Sequence, residues 1–181
     1  INRAMEGIVR HALTSNPACD IIMMHFVDPD KMKNYRSGVV PLVIELHENI
    51  ASHYMVSTIN LAKEVTERID NGEFTWEDDF KNLHPSPFGQ GVYSRSIISF
   101  LENAFMENIG DISTVSVFDM PEKLDDNCYD KGQLIDIARS DIVNGWHIEN
   151  SWSPPDDAGV RFNYHNVPML ISDDSGSLLR F

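Results

Sequence analysis

Apolar positions in the first hundred residues switch repeatedly between two periods. Met5, Ile8, Val9, Ala12 and Leu13 recur at helical spacing, and Asn16-Pro17 ends the pattern. Ile21 to Val27 is a continuous apolar run, which predicts a strand covered on both faces, and Asp28-Pro29-Asp30 breaks it. A short helix near Lys31 to Tyr35 follows, then a longer one from Pro41 to about His53, with Leu42, Ile44, Leu46 and Ile50 as its apolar contacts. Val56 to Asn60 reads as a second strand, and Leu61 to Ile69 as a helix closed by Asn71-Gly72. From Gly91 to Met106, Val92, Ile97, Ile98, Leu101, Ala104 and Phe105 supply an amphipathic stripe. Helix, strand, helix, strand and helix in this order predict a parallel sheet in an α/β layer fold.

After Asn108-Ile109-Gly110 the texture changes. Ser113 to Phe118 alternates and is β-branched, and Val167 to Ile171 is a short apolar run. Asn144-Gly145, Pro154 to Asp157 and Asp173 to Gly176 are turn signals. The expected division is an α/β part over 1–108 and a β-rich extension over 109–181, the latter reading as the opening of a β-sandwich.

Composition narrows the functions. The 181 residues, 42% of them apolar, suffice for a packed domain or a domain with an appendage. Twenty-eight acidic residues against 14 basic ones give a net charge of −14. Such a surface repels phosphate backbones and anionic lipid, so nucleic acid and membrane are not expected partners. No apolar stretch approaches the roughly 20 residues of a membrane span. The first residues read as helix rather than as a signal peptide, which leaves the compartment open. Cys19 and Cys128 make no disulfide framework or metal motif, and Cys19 reads as a small buried thiol. His47-Glu48 and His53 are spaced too far apart for the zinc helix motif, so neither metal nor cofactor is expected. His25, on an apolar strand, reads as a satisfied core histidine.

The chemistry concentrates at His84. The acidic stretch Trp76-Glu77-Asp78-Asp79-Phe80 runs into Lys81-Asn82-Leu83-His84-Pro85-Ser86-Pro87-Phe88-Gly89, directly before the last amphipathic helix. A histidine on a Pro-flanked loop at a helix entrance is held in place yet reachable by substrate, as a proton-transfer base requires.

This loop, together with Met5 to Arg10, the strand ending at Val27 and Ile59-Asn60-Leu61, resembles the second half of an SGNH (GDSL-type) hydrolase, in particular its carbohydrate-esterase branch. The likeness covers about residues 1 to 106. It implies part of a three-layer α/β/α, flavodoxin-like domain that hydrolyses esters without a metal. In that family a serine attacks the acyl carbon, a glycine amide and an asparagine stabilise the oxyanion, and the histidine takes the serine proton. His84 is the base by this resemblance. The family's aspartate, three residues earlier, is replaced by Lys81. Asp79 or Asp78 is the alternative carboxylate, a backbone carbonyl is another ring-holder, and a solvated acidic turn is the plain reading of Glu77 to Asp79. The serine, glycine and asparagine blocks precede the part that these residues resemble. The missing half of the sheet is therefore expected from the same parent polypeptide or from another chain. The implied substrate is a small acyl ester or an acylated carbohydrate, and a carbohydrate esterase implies a secreted or periplasmic protein.

Four further readings compete. Asp174-Ser175-Gly176 after the apolar run, with Asp173 in place of the glycine, is faintly like the family's Gly-Asp-Ser nucleophile turn but reads better as a β-turn. Trp146, Trp152, Phe162 and Tyr164 form either a sugar-stacking platform or core. A non-catalytic carbohydrate- or partner-binding module is the alternative function, and a flavodoxin-like nucleotide binder has only the fold pattern behind it.

Overall fold

The computed structural model describes residues 1–107, 117, 119–155 and 162–180. The described residues form two compact units, Ile1–Gly132 and Gln133–Phe181. The expected boundary at 108–109 and most of the expected strand at 113–118 lie outside the described residues.

The first unit begins with α1 (Asn2–Ser15), β1 (Ile22–Met24), α2 (Pro29–Arg36), α3 (Leu42–His53), β2 (Ser57–Ile59) and α4 (Leu61–Asp70). A single π turn (Trp76–Phe80) and the long α5 (Pro87–Glu107) follow as the remaining regular elements among this unit's described residues. The helix starts are chemically marked. Asp28 caps α2, accepting from Lys31 N at 2.8 Å with Pro29 in the first turn, and Asn60 caps α4, accepting from Lys63 N at 3.0 Å. β1 and β2 pair in parallel, Ile22 with Ser57, Met23 with Thr58 and Met24 with Ile59, around the α3 crossover. This is the parallel α/β pattern that the alternating periods predict.

Each face of this small sheet carries its own core. Met23 packs with Val9 and Leu13 of α1 and with Ile50 and Ala51 of α3. Ile59 packs with Val65 of α4, Val92 and Tyr93 of α5, and Phe74 and Phe80 of the connecting segment. The expectation that the first strand is covered on both faces is corrected. Met24 is 41% exposed and Phe26 47%. A continuous apolar run reports a preference for burial, not which polypeptide supplies the cover.

Residues 119–132 pack back on α1 and belong to the first unit. The carboxylate of Glu6, fully buried, accepts from Tyr54 Oη at 2.7 Å and from the backbone amides of Leu124 and Asp125 at 2.6 and 3.1 Å. Burial and the bond to Glu6 push the Tyr54 hydroxyl up to about 12. Arg10 donates to Tyr54 Oη and to the Pro121 carbonyl. Gly7 lies so close to Tyr129 that a Cβ there would sit 2.7 Å from the Tyr129 carbonyl carbon.

The second unit is β-rich. β3 (Asp141–Asn144) pairs antiparallel with β6 (Leu178–Arg180), and β4 (His147–Trp152) with β5 (Val167–Ile171). The turn from Ser172 to Gly176 thus follows an antiparallel strand, and Ser172 Oγ bonds Ser177 Oγ at 2.6 Å. A nucleophile turn needs a parallel-sheet setting, so this segment is the plain turn of the two readings.

Candidate active site

The loop that carries His84 is built from the Thr75 cap onward. Thr75 Oγ1 accepts from Asp78 N at 3.1 Å, and Thr75 N donates to Asp79 Oδ2 at 2.7 Å. The turn closes with five-residue spacing, Phe80 N to Thr75 O and Lys81 N to Trp76 O. Such π turns are rare and frequent at functional sites. Lys81 then takes φ +79° and ψ −49°, and Asn82 N donates to the Phe80 carbonyl at 3.2 Å. That is the strained, positive-φ form of the γ-turn, worth about 1–3 kcal/mol of local strain.

The strained backbone is fastened at both ends. Ser86 N donates to the Phe80 carbonyl at 3.0 Å, closing the loop on the residue where it began. Ser86 also caps α5, accepting through Oγ from Gly89 N at 3.3 Å and through its carbonyl from Gln90 N at 2.9 Å, with Pro87 as the first helical residue. Gly89 is required by contact: a Cβ there would lie 2.6 Å from Pro85 Cβ and 2.9 Å from the Phe80 ring. Inside the loop, His84 N donates to Asn82 Oδ1 at 2.7 Å. His84 is exposed at the apex, and among the described residues its ring makes no hydrogen bond.

The loop rests on aromatic rings. Phe80 is fully buried and touches Phe74, Trp76 and Tyr93 at centroid distances of 6.2, 5.4 and 5.3 Å. Phe80 is therefore the anchor; Phe88 is 44% exposed and touches Phe74 edge-on. The hydroxyl of Tyr93 accepts from Val27 N at 3.2 Å, just beyond the end of β1. His84 is thus presented near the carboxyl ends of the strands, where open α/β sheets bind ligands.

The carboxylates of the acidic stretch do not converge on the imidazole. Asp79 spends Oδ2 on Thr75 N and on Thr75 Oγ1, the latter at 3.1 Å, while Glu77 and Asp78 are exposed. Lys81 is also exposed. Two cavities, of about 440 and 760 Å³, lie away from His84. The first sits at the amino ends of both strands beside Tyr54 and Phe100. The second lies between α3 and α4, beside Tyr35 and Asn60.

Three other histidines have partners in the first unit. His25, 4% exposed, bonds Glu48 Oε1 through Nε2 at 2.9 Å, and Thr58 Oγ1 donates to the other Glu48 oxygen at 3.2 Å. His47 lies against His25, ring centroids 5.7 Å apart, while His53 donates to the Glu122 carbonyl. Among the described residues no three His, Cys, Asp or Glu side chains converge to hold a metal ion. No described helix is long and apolar enough to cross a membrane.

His47 makes a pH prediction. Burial, and secondarily the neighbouring His25, hold its imidazole below the ordinary value of 6.5. The unfolded chain then binds the proton first, so stability falls as pH drops below about 6.5 and levels off below the lowered folded value. Urea midpoints measured from pH 7.5 down to 5.5 are expected to show this slope, and His47→Gln to flatten it. An unchanged slope would refute the assignment.

In the second unit, Trp146 Nε1 is buried and among the described residues has no hydrogen-bond partner, Trp152 is half-buried and Tyr164 is 56% exposed. The side chain of Phe162 lies outside the described residues.

No family model and no curated protein matches the sequence. One solved structure does: a two-domain esterase (CEX) active on acetylated mannans, at 18% identity and a TM-score of 0.59. The match covers 98% of this chain and 44% of that one, so these residues span less than half of the neighbour's length. The fold of this chain is similar to that of an esterase.

Proposed function

We propose that these residues are the histidine-bearing part of a serine esterase of the SGNH type that removes acyl groups from a carbohydrate. The observation that carries this reading is the presentation of His84: an exposed imidazole at the apex of a hydrogen-bonded loop, on a buried aromatic base, near the carboxyl ends of a parallel sheet. The esterase fold of the structural neighbour, and its activity on acetylated mannans, point to the same chemistry and substrate class.

In the proposed reaction the nucleophilic serine and the oxyanion donors come from polypeptide outside these residues. His84 accepts the serine proton as the hydroxyl oxygen attacks the acyl carbon, then returns it to the departing sugar oxygen. Water repeats the cycle on the acyl-enzyme and releases the acid. Asp79 becomes the orienting carboxylate only by leaving Thr75, so a backbone carbonyl or a group from the completing polypeptide is the better candidate to hold the ring. The protein encoded by the complete reading frame is expected to release acetate from acetylated mannan and to be inactivated by a serine-directed sulfonyl fluoride. Absence of both would overturn the reading.

A second reading rests on the carboxylates. With Asp79 bonded to Thr75 and Lys81 in the usual place of the acid, the domain would bind acylated carbohydrate without cleaving it. Saturable binding of acetylated mannan with no acetate released would favour that module.

A further inference from the structure

We infer that the crevice at the carboxyl end of β2 is a second carbohydrate site, which holds neutral sugar units of the glycan whose acylated unit lies at His84. The class of ligand rests on the reading above; the place and the charge of the site rest on the crevice itself.

The crevice arises from the chain path. α3 enters β2 from the face that carries Met23, and α4 leaves on the face that carries Ile59 and Val65. Helices that diverge to opposite faces leave a gap outside the strand end, the place where open α/β sheets take ligands. Here the gap is a cavity of about 760 Å³, within the roughly 300–1,000 Å³ usual for small-molecule sites. It lies at the same end of the sheet as the His84 loop.

One wall is apolar and fixed. α2 ends in a Schellman closure: Gly38, at φ +74°, donates through N to the Tyr35 carbonyl at 2.9 Å, and Val39 N donates to the Asn34 carbonyl at 3.0 Å. The hydrophobic contact that usually accompanies this closure would pair Val39 with Asn34 or Lys33, both polar. Val39 and Val40 therefore stay uncovered, at 55% and 49% exposed, and line the crevice. The C–H faces of a sugar ring suit such a wall.

The remaining lining is polar and in part uncommitted. Glu45 and Asn49 stand one turn apart on α3, and among the described residues neither side chain makes a hydrogen bond. On the α4 side, Asn60 Nδ2 donates to Tyr35 Oη at 2.9 Å. Among the described residues the Tyr35 hydroxyl proton has only Asn60 Oδ1 in reach, at 3.2 Å, and that oxygen already accepts from Lys63 N at 3.0 Å. The proton is thus available to a ligand oxygen.

Charge selects the class. Glu45 and Glu48 outweigh Lys63 in the lining, which disfavours phosphate or any other anion. Lys63 and the amino ends of α3 and α4 in turn disfavour a cation. A neutral ligand with many hydroxyls, each both donor and acceptor, satisfies these groups.

Two measurements on the protein from the complete reading frame test this. In nuclear magnetic resonance titrations, a deacetylated manno-oligosaccharide is expected to shift the backbone amides of Val39 and Val40 and the side-chain amide of Asn49 saturably. Inorganic phosphate should leave them unmoved. In kinetics, Glu45→Ala combined with Asn49→Ala is expected to raise KM for acetylated mannan on the order of 10-fold, the worth of one or two hydrogen bonds, with kcat and KM for an aryl acetate unchanged. No shift with the oligosaccharide, a shift with phosphate, an unchanged KM for the mannan, or an equal loss on both substrates would each overturn the site. Hydrolysis with unmoved amides defeats only the crevice, and saturable shifts without hydrolysis defeat only the esterase reading.

Discussion

His84→Ala in the protein from the complete reading frame is expected to lower kcat for hydrolysis of acetylated mannan or an aryl acetate by about 10²–10⁴-fold, the usual contribution of a general base. KM should move little, because the imidazole takes charge as the reaction proceeds and adds little to ground-state binding. The fold should not register the change. The ring is exposed and makes no hydrogen bond among the described residues, whereas the backbone amide of His84, which alanine retains, carries the bond to Asn82. An unchanged melting temperature with lost turnover is therefore the expected pair of results. Retained turnover would remove His84 from the mechanism, and lost turnover with a large fall in melting temperature would assign it to structure.

The parts of this loop differed in how readable they were. His84, the flanking prolines and the helix that follows are local signals, and the structure uses them locally. The cap was partly visible: Thr75-Trp76-Glu77-Asp78 has the spacing of a capping box. The turn, however, closes with five-residue spacing, so the reciprocal bond to Thr75 N comes from Asp79, one position later. That shift is what occupies the carboxylate expected to serve the imidazole. Nothing in a linear pattern announces a π turn, because it differs from an α turn by one inserted residue rather than by composition. The role of Phe80 was hidden for another reason. Its burial depends on Phe74, Trp76 and Tyr93 meeting in space, which no local pattern shows.

At fold level, the 3.6-residue period placed all five helices to within a few residues, and the two short strands were recognisable from apolar runs between breakers. Nonlocal cover was not recognisable. The exposure of Met24 and Phe26 and the return of residues 119–132 onto α1 both concern partners distant in sequence or outside it. The Met5 to Arg10 stretch stood out by resemblance alone, and only its contacts explain why it reads Glu6-Gly7 with Arg10.

Those contacts support the last prediction, on stability. Glu6→Ala is expected to cost about 3–5 kcal/mol, because it leaves the hydroxyl of Tyr54 and the backbone amides of Leu124 and Asp125 without their buried acceptor. Gly7→Ala acts on the same interface by sterics. Its methyl group would sit 2.7 and 2.8 Å from the carbonyl carbon and oxygen of Tyr129, which are backbone atoms and cannot rotate aside. The cost is about 1–3 kcal/mol, the usual range for overpacking. Both changes detach one segment, so the double variant should lose clearly less than the sum of the two. Urea denaturation of the three variants measures this, and proteolysis within residues 119–132 should accelerate in each. Strict additivity, or a Glu6→Ala loss below about 1 kcal/mol, the net worth of one ordinary hydrogen bond, would show that the segment is held by something other than this carboxylate and this close approach.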